Sequence, residues 1–186
     1  MKAAPYIVVS GLPASGKTTL SRGIAAEFGL PLIDKDDILE RFFESMGIGD
    51  AKWRQLLSRT SDVAMQHIAL DSGGAVLTSF WHQQGMPPSS GTPTRWIPSG
   101  PNPVIEIYCD CPAEIAARRF IDRKRHPGHL DELKREDELL ADLQKLSLLG
   151  PLNIGKLVRV DTSGDVDHHA IAEQIRSLLV DHNSNS

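Results

Sequence analysis

Cysteine is almost missing from this chain, with Cys109 and Cys111 the only two in 186 residues. A Cys-x-Cys pair at the end of an apolar run has neither the span for a disulfide nor a second pair with which to hold zinc. This excludes a disulfide scaffold and a zinc module, and a reducing compartment is expected. His126, His129, His168 and His169 bring no cysteine or acid at metal-ligand spacing, so they add no zinc site. Long hydrophobic runs are absent too. No stretch approaches the roughly 20 apolar residues of a membrane span, and the single lysine and short apolar run at the start do not make a signal peptide. A soluble cytoplasmic protein with no membrane partner is expected. Charge of one sign is the third absence. With 20 Lys+Arg against 24 Asp+Glu the net charge is −4, which gives no global attraction to nucleic acid, although a local basic groove stays open. The length suits one domain, 1–186, that buries a core without staples.

What the chain does contain is a phosphate cradle. Gly11-Leu12-Pro13-Ala14-Ser15-Gly16-Lys17-Thr18 matches G-x-x-x-x-G-K-[ST], with a strand-like Tyr6–Val9 before it and a helical Lys17–Phe28 after it. In that context the backbone N–H groups of Gly11, Pro13's neighbours, Ala14, Ser15, Gly16 and the helix start through Thr19 converge on one concavity at a helix N-terminus. Lys17 is expected to reach the β- and γ-phosphates of ATP, and the Thr18 hydroxyl to hold Mg²⁺.

Short β-type runs alternate with helical patterns along the rest of the chain. The runs are Tyr6–Val9, Pro31–Ile33, Ala75–Leu77, Val104–Tyr108 and Leu157–Val160. The helical segments are Lys17–Phe28, Asp37–Ser45, Lys52–Leu70, Pro112–Arg125, Leu133–Leu146 and Val166–Val180. Such alternation predicts an α/β fold with a five-stranded, mostly parallel sheet between helices. Gly29 is placed to stop the first helix. Residues 85–103 are rich in Pro, Gly and Ser, and with Trp81-His82 they mark a loop of about 81–103 whose length suggests a substrate-handling role. Trp81 and His82 either line an acceptor pocket or pack beneath that loop.

The second strand ends in Asp34-Lys35-Asp36-Asp37. Ligands of a parallel sheet sit off the carboxyl ends of its strands, so these acids face the crevice of the phosphate loop. A carboxylate there can take the proton of an attacking hydroxyl. Asp37 with Glu40 also makes a capping box, which accounts for one acid and leaves Asp34 and Asp36 for chemistry. Further on, Arg119 and Arg123 stand four apart in a basic helical segment, the spacing for two guanidinium groups to meet a polyphosphate from a lid. The third strand runs into Thr78-Ser79-Phe80 without an acid, so the metal is expected on Thr18, phosphates and water, with Asp34 or Asp36 behind them.

The stretch from Ile7 to Phe43, taken with Cys111 to His126, resembles the AAA-type small P-loop kinases grouped with zeta toxins, chloramphenicol phosphotransferases and polynucleotide kinases. The resemblance implies a P-loop kinase fold, a helical lid at about 112–135, and ATP-dependent phosphorylation of a hydroxyl. It places the base at Asp36, lid arginines at Arg119 and Arg123, and an adenine contact near Asp161-Thr162-Ser163. That turn is equally well explained as an ordinary strand-to-helix turn capped by Ser163 or Asp165. The acceptor is expected to be a small molecule such as a sugar, nucleoside or antibiotic. A polynucleotide 5′-hydroxyl kinase and a regulatory ATPase are the alternatives. Leu39 stands where the phage polynucleotide kinase carries a substrate-binding arginine, which with the acidic balance argues against a nucleic-acid acceptor. The sequence carries no signal for an oligomeric state.

If Lys17 serves the phosphates, Lys17→Ala should lower ATP-dependent turnover by about a thousandfold, because a charge aimed at developing negative charge in a dry site contributes several kcal/mol. Steady-state kinetics beside ATP titration measure this, and near-normal turnover would remove the loop from the reaction.

Overall fold

The computed structural model describes residues 4–97, 100, 102–131 and 135–184. Its five strands are β1 (Tyr6–Gly11), β2 (Leu32–Asp34), β3 (Ala75–Thr78), β4 (Val104–Asp110) and β5 (Lys156–Asp161). They pair in the order β2-β3-β1-β4-β5 with every pairing parallel, so the expected α/β sheet is the observed one. β1 lies at the centre, with Tyr6 level with Ala75 on one side and with Val104 on the other. Its residues Tyr6 to Val9 are covered on both faces, which is why the run is apolar without alternation. β5 is an edge strand and alternates, burying Val158 and Val160 while Leu157 and Arg159 face outward.

Among the described residues six α-helices cover the sheet: α1 (Lys17–Phe28), α2 (Lys35–Met46), α3 (Ala51–Ser72), α4 (Ala113–Asp122), α5 (Glu136–Ser147) and α6 (His168–Ser184). Leu20 and Ile24 of α1 join Ile171 and Ile175 of α6 on one face, against Ile7, Val9, Ile105 and Ile107. Met65 and Ala69 of α3 close the other face over Val8, Ile33 and Leu77. α4 and α5 pack together beside the phosphate loop, sharing Leu12, Phe120 and Leu143. Gly29 ends α1 in the left-handed conformation at φ 61°, as its position after the apolar stripe predicts.

Several boundaries differ from expectation, each for a local reason. The cap of α2 is Asp34, not Asp37: its carboxylate accepts the Asp36 N–H at 2.9 Å, so the helix starts at Lys35 and Asp37 sits in its first turn. Glu40, freed from a capping box, accepts from His129 Nε2 at 2.8 Å. α4 stops at Asp122 because Pro127 disfavours helical backbone at His126, and the intervening Arg123 is already extended. Leu133, expected to open the next helix, lies outside the described residues. α6 is capped by Asp167, whose Oδ1 accepts the Ala170 N–H at 3.0 Å, rather than by Ser163 or Asp165.

Glu106 in β4 is fully buried at the sheet's centre. Its carboxylate accepts from Ser10 Oγ at 2.6 Å and from the Leu152 and Asn153 N–H groups at 2.7 and 2.8 Å, tying the segment after α5 to β1 and β4. Glu106→Ala would orphan these donors together. A loss of about 3 kcal/mol is expected by urea unfolding, with Glu106→Gln recovering part of it. A loss under about 1 kcal/mol would mean that water replaces the carboxylate at little cost.

Candidate active site

Beyond β1 the chain turns through Gly11 (φ 129°), Ala14 (φ 60°) and Gly16 (φ 94°) before entering α1. A Cβ on Gly11 would lie 2.6 Å from the Cys109 carbonyl oxygen, so the close passage of loop and β4 requires glycine there. The Ser15 hydroxyl is buried beside the Cys109 thiol, and Lys17 Nζ folds back to donate to the Gly11 and Leu12 carbonyls at 3.1 and 2.6 Å. Burial pushes the Lys17 pKa down to about 8. A lysine hydrogen-bonded to loop carbonyls, at the N-terminus of a helix, fits a polyphosphate. Pro13, Ala14, Gly16, Lys17, Thr18 and Thr19 line a cavity of about 1590 Å³, while Gly11 and Ser15 sit behind the loop. Cys109 beside them is buried, and burial raises its thiol to about 12, so it is inert at neutral pH.

Thr18 Oγ1 donates to Asp34 Oδ2 at 3.0 Å, which joins the metal-binding hydroxyl expected from the sequence to the end of β2. Burial, with Asp36 adding to it, lifts the Asp34 carboxyl to about 6. Thr18 and Asp34 together are the oxygen donors that could support Mg²⁺ beside phosphates. Among the described residues no group of three His, Cys, Asp or Glu could hold a metal unaided. Asp36 faces the same cavity, half exposed to it, and is ion-paired to Arg125. Burial pulls its pKa up, but Arg125, His129, Lys17 and Lys35 outweigh that and the net shift is downward, so Asp36 is ionised.

The arginines are arranged differently from the helical pair read in the sequence. Arg119 does not converge with Arg123. It donates to the Thr162 and Ser163 carbonyls at 2.7 and 2.9 Å, clamping the turn after β5 that lines the cavity at Thr162 and Gly164. Arg123 and Arg125 share Asp131 at 3.4 and 3.1 Å and line the cavity with it. Arg125, part of the basic run but not singled out by spacing, is therefore the arginine that touches Asp36.

Opposite the loop, α3 and residues 85–91 close the cavity. Lys35 reaches Asp62 at 2.8 Å and Ser58 at 2.9 Å, and Asp62 also accepts from Arg59 at 2.8 Å and Thr92 at 2.7 Å. Arg59 extends to the carbonyls of Ser89 and Gly91, so this part of the expected substrate loop is tied down. Trp81 is buried, donates to the Val9 carbonyl at 2.9 Å and does not line the large cavity. It packs beneath the loop. Residues 98, 99 and 101 of that loop lie outside the described residues.

Fold and site together define a P-loop nucleotide-binding domain of the small-kinase type. A family profile described as an AAA domain, AAA_33, matches residues 7–145, and the chain belongs to that family. A cytidylate kinase of Pyrobaculum islandicum is 27% identical over 180 residues, covering 93% of this chain and 90% of the relative. A shikimate kinase of Corynebacterium glutamicum is 27% identical over 134 residues, 66% and 68% of the two chains. Among solved structures, a candidate kinase from Chloroflexus aurantiacus superposes with a TM-score of 0.75 at 26% identity, covering 95% of this chain and 98% of the other. A shikimate kinase from Acinetobacter baumannii in complex with shikimate shares the fold, with a TM-score of 0.59 at 18% identity over 97% and 96% of the chains.

Asp34 generates a pH prediction. Between its ordinary 3.8 and about 6 the folded protein holds a proton that the unfolded chain has released, so this group's contribution to stability falls as the pH rises through that window. Asp34→Asn keeps a helix cap without the buried charge. It should be about 1–2 kcal/mol more stable than wild type at pH 7 and converge on it near pH 4. Denaturant unfolding across pH checks this, and a variant less stable at pH 7 would contradict the raised carboxyl.

Proposed function

We propose that the protein is an ATP-dependent kinase that transfers the γ-phosphoryl group to a hydroxyl of a small molecule, with 1–186 acting as one kinase domain, a lid at about 112–135 and an acceptor loop at about 81–103. The observation that carries this reading is the placement of an ionised Asp36 in one cavity with Lys17 and Thr18, opposite a wall built by α3 and residues 85–91. A switch ATPase acting on water alone has no need of that second wall. The resemblance to zeta toxins and chloramphenicol phosphotransferases supports a hydroxyl acceptor, and the acidic balance and Leu39 speak against a polynucleotide.

In this reading Gly11 to Thr19 cradle ATP, with Lys17 leaving its loop carbonyls for the β- and γ-oxygens. Mg²⁺ would rest on Thr18, with Asp34 behind it, and would neutralise charge on those oxygens. Arg119 holds the turn at the nucleoside end. The acceptor oxygen forms a bond to the γ-phosphorus, the bond from that phosphorus to the β–γ bridging oxygen breaks, and the electron pair leaves with ADP. Asp36 orients the hydroxyl and takes its proton as that bond forms; its low pKa suits a late transfer, when the hydroxyl has become acidic. Arg123 and Arg125 stand where negative charge spreads over the equatorial oxygens. The cytidylate kinases among the relatives bring a second reading, a nucleotide phosphate as acceptor.

Asp36→Asn should leave ATP affinity within a few-fold and cut turnover by at least about a hundredfold, the usual weight of a positioned acid or base. Phosphorus NMR of the products of an acceptor panel containing polyols, nucleosides, antibiotics and nucleoside monophosphates separates the readings. A phosphate ester supports the hydroxyl acceptor, and a phosphoanhydride replaces it with the nucleotide.

A further inference from the structure

The acceptor wall carries an imbalance of charge. Lys35 and Arg59 both spend themselves on Asp62, and Arg59 also on two loop carbonyls, so these cations are occupied in building the wall. Arg54, on the same helix and in the same cavity, is not occupied. Its Nε is sealed from solvent without a hydrogen-bond partner, and its guanidinium makes no ion pair or hydrogen bond among the described residues. The acids nearest the reaction are already engaged. Asp36 and Asp131 hold Arg125, Arg123 also meets Asp131, and Asp34 holds Thr18 and the cap of α2.

A buried donor left unpaired is costly, and a charged one more so, unless something outside the chain completes it. The guanidinium fork matches planar or tetrahedral oxyanions through paired N–H groups, and it stays charged at any working pH. Gln55 and Ser58 line the cavity beside it and offer neutral polar groups to the rest of an acceptor. We propose that the acceptor carries an anionic group, a carboxylate or a phosphate, which Arg54 binds while the acceptor's hydroxyl meets Asp36. This deepens the kinase reading and rests on it for the hydroxyl. Arg54 is a specificity residue in this scheme. It selects anionic hydroxyl compounds over neutral sugars and nucleosides, because a neutral acceptor would bury the guanidinium without a counter-charge.

The test uses the full chain with its phosphate loop filled by Mg²⁺ and a non-hydrolysable ATP analogue, so that added anions cannot simply occupy the loop. Inorganic phosphate, acetate and neutral glycerol are titrated separately while the Arg54 Nε–H resonance is followed by nitrogen-15 NMR, in wild type, Arg54→Gln and Arg54→Lys, with binding to the variants read from the backbone amides of α3. Phosphate or acetate should shift the Arg54 signal saturably and glycerol should not. Arg54→Gln should weaken the anion by at least about tenfold and Arg54→Lys should restore part of it, as expected when one partner of a shielded charge pair is removed. Stronger binding of phosphate points to phosphorylated acceptors, and stronger binding of acetate to hydroxy acids. Equal anion affinity in Arg54→Gln, a response to glycerol alone, or no saturable shift with either anion overturns the proposal. Failure of the ATP analogue to bind would instead strike the kinase reading, and the Arg54 titration would still be read.

Discussion

The buried carboxylate of Asp34 is the junction on which the active-site geometry depends. One oxygen accepts the Thr18 hydroxyl from the start of α1, and the other accepts the Asp36 N–H at the start of α2. The phosphate loop and the candidate base therefore hang from the same side chain at the end of β2. Because β2 is parallel to β3 and β3 to β1, the carboxyl ends of the strands lie on one edge of the sheet. That edge is where a parallel α/β sheet has room for ligands. The junction carries a cost, since burial and the neighbouring Asp36 oppose its ionisation. A residue kept ionisable against its surroundings at such a position suggests function more than stability.

The segment after α4 is fastened to α2 rather than floating over the cleft. His129, buried and with its pKa pulled down by burial and then by Arg125, donates to Glu40. His126 stacks on Phe43, its ring centroid 5.3 Å away. Gly128 passes so close that a Cβ would lie 2.4 Å from the Phe43 ring, which leaves no room for a side chain. These contacts set Arg125 against Asp36 and Asp131 against both Arg123 and Arg125.

The phosphate loop, the parallel sheet and the acids after β2 were legible because each is encoded by neighbours in sequence. A pattern of fixed residue types between a strand and a helix has few other readings, and short apolar runs between helices demand crossovers. The errors came where the partner lies far along the chain. Arg119 and Arg123 stand at helical spacing, but Pro127 ends the helix early and the Arg119 fork finds carbonyls 43 and 44 residues away. The Asp37-x-x-Glu40 pattern is a sound capping box, yet α2 begins at Lys35, two residues before Asp37, and Asp34 takes the cap. Lys35, Asp62, Arg59 and Thr92 form their network across three separate segments, and no local pattern in any of them announces it.

Five arginines facing one cavity would repel each other if all were free, so their partners decide what each can do, and Arg59 is held by Asp62 and two loop carbonyls. Arg119 is held by two carbonyls, which fixes its position while leaving its charge uncancelled beside the turn after β5. Arg123 and Arg125 are held by carboxylates, which cancels much of their charge until a more negative group arrives; a polyphosphate can compete for them in a way that a neutral ligand cannot. Arg54 is held by nothing among the described residues, so its charge is exposed to whatever fills the acceptor half. The protein is net acidic, yet its cavity is lined by Arg54 and Arg119, which meet no carboxylate among the described residues, and by Arg123 and Arg125, which carboxylates hold. Such a distribution favours ligands whose own charge is divided over ligands charged at one point only.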